Sequence, residues 1–429
     1  MKRLLALVVC LFALAGGEAT AAELRPAWVF SGAYADDYFG ANPNGYGICT
    51  ESGHIVSCAA HLSTSRVSAE TCQWADGHLS YAAANVPCIT DLGLGIRESR
   101  TNLARQSNAL TTTPWVVGAN LALTQPGTII APDGTLTAWD AVTSGAANTL
   151  TQPIVTVALG TYPTSIYIQP VSGSGSVVFG NLVSGCQATY TQSGTSLVYA
   201  SQAAVGAGTC VGTSGLTGPS ITGWYRLFVV GAPVGVSGGI SLTLPNPSTV
   251  NLFGADQDPQ AAAGGGTFVT PYISTTSGTV VRAADSISTV PGSVLDNALR
   301  ATPGSMLIQT NSVNYVANSN TLLRFSGNWY ARTGGTVNGL YSSDGTNGYS
   351  LNPSSGNITT RAKISYAYNG ATITGAWNGH AVAPGTNVRT TATGTISVGS
   401  AAGTGSFLNG YIERLAVVPY SAVLLPTYP

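Results

Sequence analysis

Charge is the scarcest property of this chain. Asp, Glu, Lys and Arg make up 8% of its 429 residues, against roughly 25% in soluble domains. Sixteen basic residues nearly balance 17 acidic ones, for a net charge of −1. Without a basic stripe the chain is not suited to neutralising a run of phosphates, so nucleic acid is excluded as a partner. Lysine occurs only as Lys2 and Lys363, and no Gly-Lys-Ser/Thr loop for nucleotide phosphates is present. Long apolar runs are missing too. Gly, Pro, Asn and Thr interrupt each of them before the roughly 20 residues that a membrane span needs. No stretch beyond the N-terminus keeps a 3.6-residue apolar period over a helical length.

What remains is a glycine-rich text, with 53 Gly and 22 Pro, in short apolar alternations. Ser165-Ile166-Tyr167-Ile168, Ser176-Val177-Val178-Phe179 and Trp224 to Val230 are typical. Strands of this length between turn residues predict an all-β protein of sandwich or barrel type. Near the C-terminus, Asn369-Gly370 and Asn378-Gly379 bracket Ala371 to Trp377. Asn-Gly tolerates the positive φ angles of a hairpin turn, which predicts a meander of Arg361 to Tyr368, Ala371 to Trp377, and His380 onward. Further strands are expected at Thr395 to Val398 and Gly410 to Val418. In the last, plain alternation puts Ile412 and Arg414 on one face and Tyr411, Glu413, Leu415 and Val417 on the other. Trp224 and Trp377 are expected in cores.

Residues 1–22 have the order of an export signal: basic Lys2-Arg3, apolar Leu4 to Leu14, then small residues around Ala19 to Ala22. Six cysteines follow it: Cys49, Cys58, Cys72, Cys88, Cys186 and Cys210. An even number in an exported chain points to disulfides. Cys186 most simply pairs with Cys210, and three pairings stay open for the first four. Zinc fits poorly, since no Cys-x2-Cys occurs and His54, His61 and His78 lack ligand spacing; no metal site is assigned. The expected location is extracellular, on a virion or a cell surface.

Several short motifs occur in a characteristic order: Arg100-Thr101-Asn102-Leu103, Pro114-Trp115, Ala131-Pro132-Asp133-Gly134-Thr135, Gly223-Trp224-Tyr225-Arg226, Thr270-Pro271-Tyr272-Ile273 and Val281-Arg282-Ala283-Ala284-Asp285. They are followed by Trp377-Asn378-Gly379, Thr395 to Gly399 and Phe407 to Ala416. This series resembles a tailed-bacteriophage virion protein family, of tail or fibre type. In that family a carbohydrate-binding-module-like sandwich precedes a laminin-G or concanavalin A-like lectin domain. The resemblance implies two antiparallel jelly-roll or concanavalin-like β-sandwiches, at 101–285 and 286–429, after a cysteine-rich segment at 23–100. It also implies a structural partner in a virion or surface layer, and a homo-oligomer.

Catalytic chemistry finds little support. A glycosidase needs two carboxylates flanking the scissile bond, and beyond Asp285 only Asp296, Asp344 and Glu413 are acidic. Glu413 beside Arg414 reads as an ion pair. Pro259 and the glycines after it make Asp256 and Asp258 read as a loop, where structural calcium or plain solvation fits better than catalysis. No Gly-x-Ser-x-Gly elbow or His-Glu-x-x-His occurs, and no cofactor is called for. Binding fits better. Tyr341 to Tyr349 is a turn-rich stretch with Asp344 and Asn347 between two tyrosines, and Trp329-Tyr330 must send its rings to opposite faces. Rings for the apolar side of a sugar and fixed acceptors for its hydroxyls make Tyr330, Tyr341, Asp344, Asn347 and Tyr349 the candidate glycan contacts. The expected function is a non-enzymatic phage-type structural or adhesion protein binding cell-surface polysaccharide. A secreted adhesin of prophage origin and a glycan hydrolase or lyase are the alternatives.

Overall fold

The computed structural model describes residues 28–31, 48–51, 54–56, 58–146, 148–155, 160–234, 237–259 and 269–301, then 304–312, 320–325, 330–333, 340–343, 348–351, 361–368, 372–377, 380–386, 394–399 and 408–418. The export signal, Trp329, Asp344, Asn347 and the two Asn-Gly turns lie outside these. Among the described residues the architecture is all-β, with one short helix and one 3-10 turn. None of their helices is long and apolar enough to cross a membrane.

The central strands form a 12-stranded sheet system folded around the long strand Tyr162–Asn181. Its first half pairs with Tyr225–Ala232 and Ser248–Gln257, and its second half with Gly185–Ser193 and Ser237–Thr243. One strand therefore serves two sheets, and their inward residues make a single core. Ile166, Ile168, Val177, Phe179, Leu227, Val229, Leu242 and Leu252 are all buried there. The alternation of period two that marked these segments in the sequence is the alternation that fills this core. Cys186 and Cys210 are bridged, with Cα atoms 4.7 Å apart across a separation of 24 residues. Cys72 is bridged to Cys88, and Cys58 is disulfide-bonded as well.

The second core lies between a ten-stranded and a seven-stranded sheet. Leu62, Ile96, Ile287, Leu299, Ile308, Ile364, Val398 and Val417 meet in it. Its pairing runs across the serial division expected from the sequence. Strand Trp28–Ser31 pairs with Gly410–Val418, as does Gly93–Ile96, and Leu62–Ser65 pairs with Ser286–Thr289. The cysteine-rich segment is thus built into the sheets of the C-terminal strands, and the central strands are inserted between its two halves. The chain leaves and returns through two neighbouring antiparallel strands, Arg100–Asn102 and Val280–Arg282. Gly93 permits one close approach, since at φ +116° a Cβ would collide with the Ile412 carbonyl oxygen.

The C-terminal meander follows the expected strands: Arg361–Tyr368, Thr372–Trp377 and His380–Thr386. The last strand departs from plain alternation. Gln309 pairs with Arg414 and Thr310 with Ile412, so Glu413 is the extra residue of a bulge. The bulge turns Ile412 inward beside Leu415 and Val417, where simple alternation would have put it with Arg414. Glu413, expected to pair with Arg414, is buried and accepts a hydrogen bond from the Gln309 side chain. The helix Val294–Arg300 was not visible as a period because it has only seven residues. Ser293 caps it through the Asp296 N–H. Arg300 grips Asp296 at 2.8 and 2.9 Å. Burial would raise the Asp296 pKa, but the bonds from Arg300, Thr289 and Gly292 prevail and hold it below the usual range.

Candidate functional site

At the junction where the chain crosses between the two cores lies a cluster of ions removed from water. Glu70 is at its centre, with a fully buried side chain. Its Oε1 accepts from Arg66 Nη1 at 2.7 Å, and its Oε2 from Arg97 Nη1 at 2.9 Å and Arg282 Nη1 at 3.3 Å. Asp285 is the second acceptor, bonded to Arg66 Nη1 at 2.7 Å and to the Arg97 backbone N–H at 2.8 Å. Arg66 spends its other donors on the carbonyls of Ser68, Ala83 and Val86. Arg97 donates to the Tyr411 hydroxyl and lies over the Tyr411 ring. Three guanidiniums thus face two carboxylates. Burial, then the Glu70 charge, raises the Asp285 pKa against the pull of the arginines. Burial lowers that of Arg282. Every carboxylate oxygen here already has a cationic partner, so the cluster ties segments together and is closed to substrate.

Asp256 and Asp258 extend this polar seam. They were expected in a solvated loop. Instead Asp256 lies within the strand Ser248–Gln257 and Asp258 just past its end, and both are buried, at 3% and 2% exposure. Asp258 lies 3.7 Å from Arg100 and accepts a hydrogen bond from Thr270 at 3.2 Å. Asp256 lies 4.0 Å from Arg226. Burial, opposed by Arg100, raises the Asp258 pKa to about 6. Burial and the neighbouring Asp258 charge push Asp256 well up. Each of the two carboxylates thus has a guanidinium within 4.0 Å, and Arg100 is shared with Glu98. Pro259 and the glycines after it signal a loop but say nothing of the burial.

The candidate glycan residues occupy the edge of the seven-stranded sheet, on strands Tyr330–Thr333, Leu340–Ser343 and Gly348–Leu351. Asp344 and Asn347 lie in sequence between the last two, outside the described residues. Tyr330 pairs with Arg324 on one side and Ser343 on the other, while Tyr341 pairs with Arg332 and Ser350. Tyr349 pairs with Ser342. Arg324 is exposed and its neighbour Leu323 is buried in the core. Paired positions share a face, so the Tyr330, Arg332, Tyr341, Ser343 and Ser350 positions fall on the side of exposed Arg324. The Tyr349 position falls on the side of Leu323. The Tyr341 and Tyr349 positions therefore fall on opposite faces, and the Arg332 position joins the outer set, which sequence order alone does not reveal.

A concavity of about 220 Å³ opens beside the ion cluster. Its lining includes Ser68, Tyr81, Tyr272, Ser274, Val280 and Val281. The Tyr81 hydroxyl donates to Asp133 at 3.1 Å, while Tyr272 is buried and bonded to Ser107 and Asn108. Burial first, and Asp133 second, raise the Tyr81 pKa, so the phenol keeps its proton. No protein-family model and no curated protein matches the chain.

Proposed function

We propose that the protein is a non-enzymatic structural or adhesion protein of the tailed-phage virion type, which binds surface glycans through the outer face of its seven-stranded sheet. The observation that carries this reading is the register that aligns Tyr330, Arg332 and Tyr341 on the side of exposed Arg324. Two tyrosine positions on one face, with the Arg332 position two residues from one and opposite the other, offer an apolar platform to sugar faces and a polar partner beside it. Such a shallow face excludes little water, so each site binds weakly, and function rests on several copies of the chain acting together. Avidity can then exceed single-site affinity by about 10²–10⁴. A catalytic role is disfavoured by the engagement of Glu70, Asp285 and Asp296 with arginines. A secreted bacterial adhesin with the same binding face is the second reading. The Cys72–Cys88 and Cys186–Cys210 bridges favour it, because disulfides persist in oxidising surroundings. The test is to pass purified protein over immobilised envelope polysaccharide while assaying for new reducing ends. Reversible retention without new reducing ends is expected; release of sugar ends would replace binding by hydrolysis.

A further inference from the structure

Three of the exposed apolar side chains among the described residues meet at one concavity. Val67, Tyr81, Val280 and Val281 are 88%, 53%, 36% and 56% exposed, and the last three wall the concavity beside the ion cluster. One wall is the hairpin of strands Glu70–Gln73 and Leu79–Ala82, and the other is the ribbon in which Val280–Arg282 pairs with Arg100–Asn102. Each is a two-stranded sheet of its own. The hairpin is fixed to the central unit by the Leu79 N–H bonded to the Pro132 carbonyl at 2.8 Å and by the Tyr81–Asp133 bond. The Tyr81 ring is therefore held by its hydroxyl while about half of it faces solvent.

The charged residues of the lining, Glu70 and Arg282, are buried and spent on each other and on Arg66 and Arg97. What the concavity presents to a ligand is an aromatic ring, two valines and the half-buried Ser68 and Ser274. Its volume lies below the roughly 300–1,000 Å³ of pockets for drug-sized ligands, which suits one ring and not a chain of them. We infer that this cleft is a second saccharide subsite, separate from the sheet-edge face, that takes a single uncharged pyranose ring against Tyr81.

Saturation-transfer NMR on the full-length protein tests this with methyl glucoside, methyl galactoside and methyl mannoside, and with glucuronate as the charged probe. At least one neutral glycoside should receive saturation and be competed by its own excess. Tyr81→Ala should weaken that signal by about tenfold or more, the loss of one ring contact. Tyr81→Phe should retain it, and each comparison is made in full-length Tyr341→Ala protein, so that the sheet-edge face does not contribute to the signal. That background keeps the two sites distinguishable: loss of polysaccharide retention with the cleft signal intact concerns the sheet edge alone. No transfer to any neutral glycoside, binding of glucuronate alone, or an undiminished signal in Tyr81→Ala would overturn the subsite.

Discussion

Replacing Glu70 by alanine should be among the most damaging single changes outside the apolar cores. Its carboxylate is the shared acceptor of Arg66, Arg97 and Arg282, at 2.7, 2.9 and 3.3 Å, and its side chain is fully buried. After the change three guanidiniums would face only Asp285. Breaking a buried ion pair from one side costs about 3–5 kcal/mol, because the partner charge stays dehydrated. For a unit of this size each kcal/mol lowers Tm by roughly 2–4 °C, so a fall of roughly 6–20 °C is expected. Glu98 supplies the control. It also pairs with an arginine, Arg100, but its side chain is 36% exposed, and pairs of that kind contribute about 0–1 kcal/mol. Differential scanning calorimetry of the two alanine variants measures both. The loss in Glu70→Ala should appear in the transition of the unit whose core lies between the ten-stranded and seven-stranded sheets, beside which the cluster sits. A Tm change no larger than that of Glu98→Ala would refute the electrostatic reasoning.

Asp258→Asn should change the pH dependence of stability. Its pKa rises from 3.8 to about 6 in the folded chain, so between those values the native state binds more protons than the unfolded one. Stability from this group is therefore full below about pH 4 and is lost as pH rises through 6, by about 3 kcal/mol. Urea titrations should show the variant gaining on the wild type from pH 4 to 7.5; a gain in the opposite direction refutes the burial argument. Cys186→Ser with Cys210→Ser opens a loop of 24 residues and should cost about 3 kcal/mol in the central unit. Denaturant midpoints with and without reductant check that, and equal midpoints would contradict it. Residues 286–429 expressed alone lack the strands Trp28–Ser31, Leu62–Ser65 and Gly93–Ile96. They should give no cooperative melt by circular dichroism, and fusing residues 23–100 to them should restore one; a cooperative melt of the short fragment refutes the shared-sheet topology.

Local signals in the sequence were good guides to local structure. Period-two alternation marked the long central strands, and the Asn-Gly pairs marked the meander that runs from Arg361 to Thr386. Pairings between distant segments left no such trace. Nothing in Trp28–Ser31 says that its neighbour is Gly410–Val418, because a short apolar strand fits many edges equally well. The Glu413 bulge was hidden for a related reason: a one-residue shift reverses which side chains point inward, and only the partner strand fixes it. The buried ions were hidden because charge reads as surface. Arg100, Arg226, Arg282 and Asp285 all belong to the ordered motifs, and all four are buried at the junction. At the sheet edge, nearness in sequence suggested that Tyr341 and Tyr349 act together. The odd-numbered offset in register, Tyr349 to Ser342, separates them.

The contrast between those two tyrosines is the most direct test of glycan binding by the outer sheet face. Retention of full-length Tyr341→Ala and Tyr349→Ala on immobilised envelope polysaccharide should be measured beside the thermal transition of each. The account predicts that Tyr341→Ala loses retention with an unchanged melting temperature, and that Tyr349→Ala melts lower but is still retained while folded. Retention by Tyr341→Ala equal to wild type, or a stability loss in Tyr341→Ala as large as in Tyr349→Ala, would contradict it.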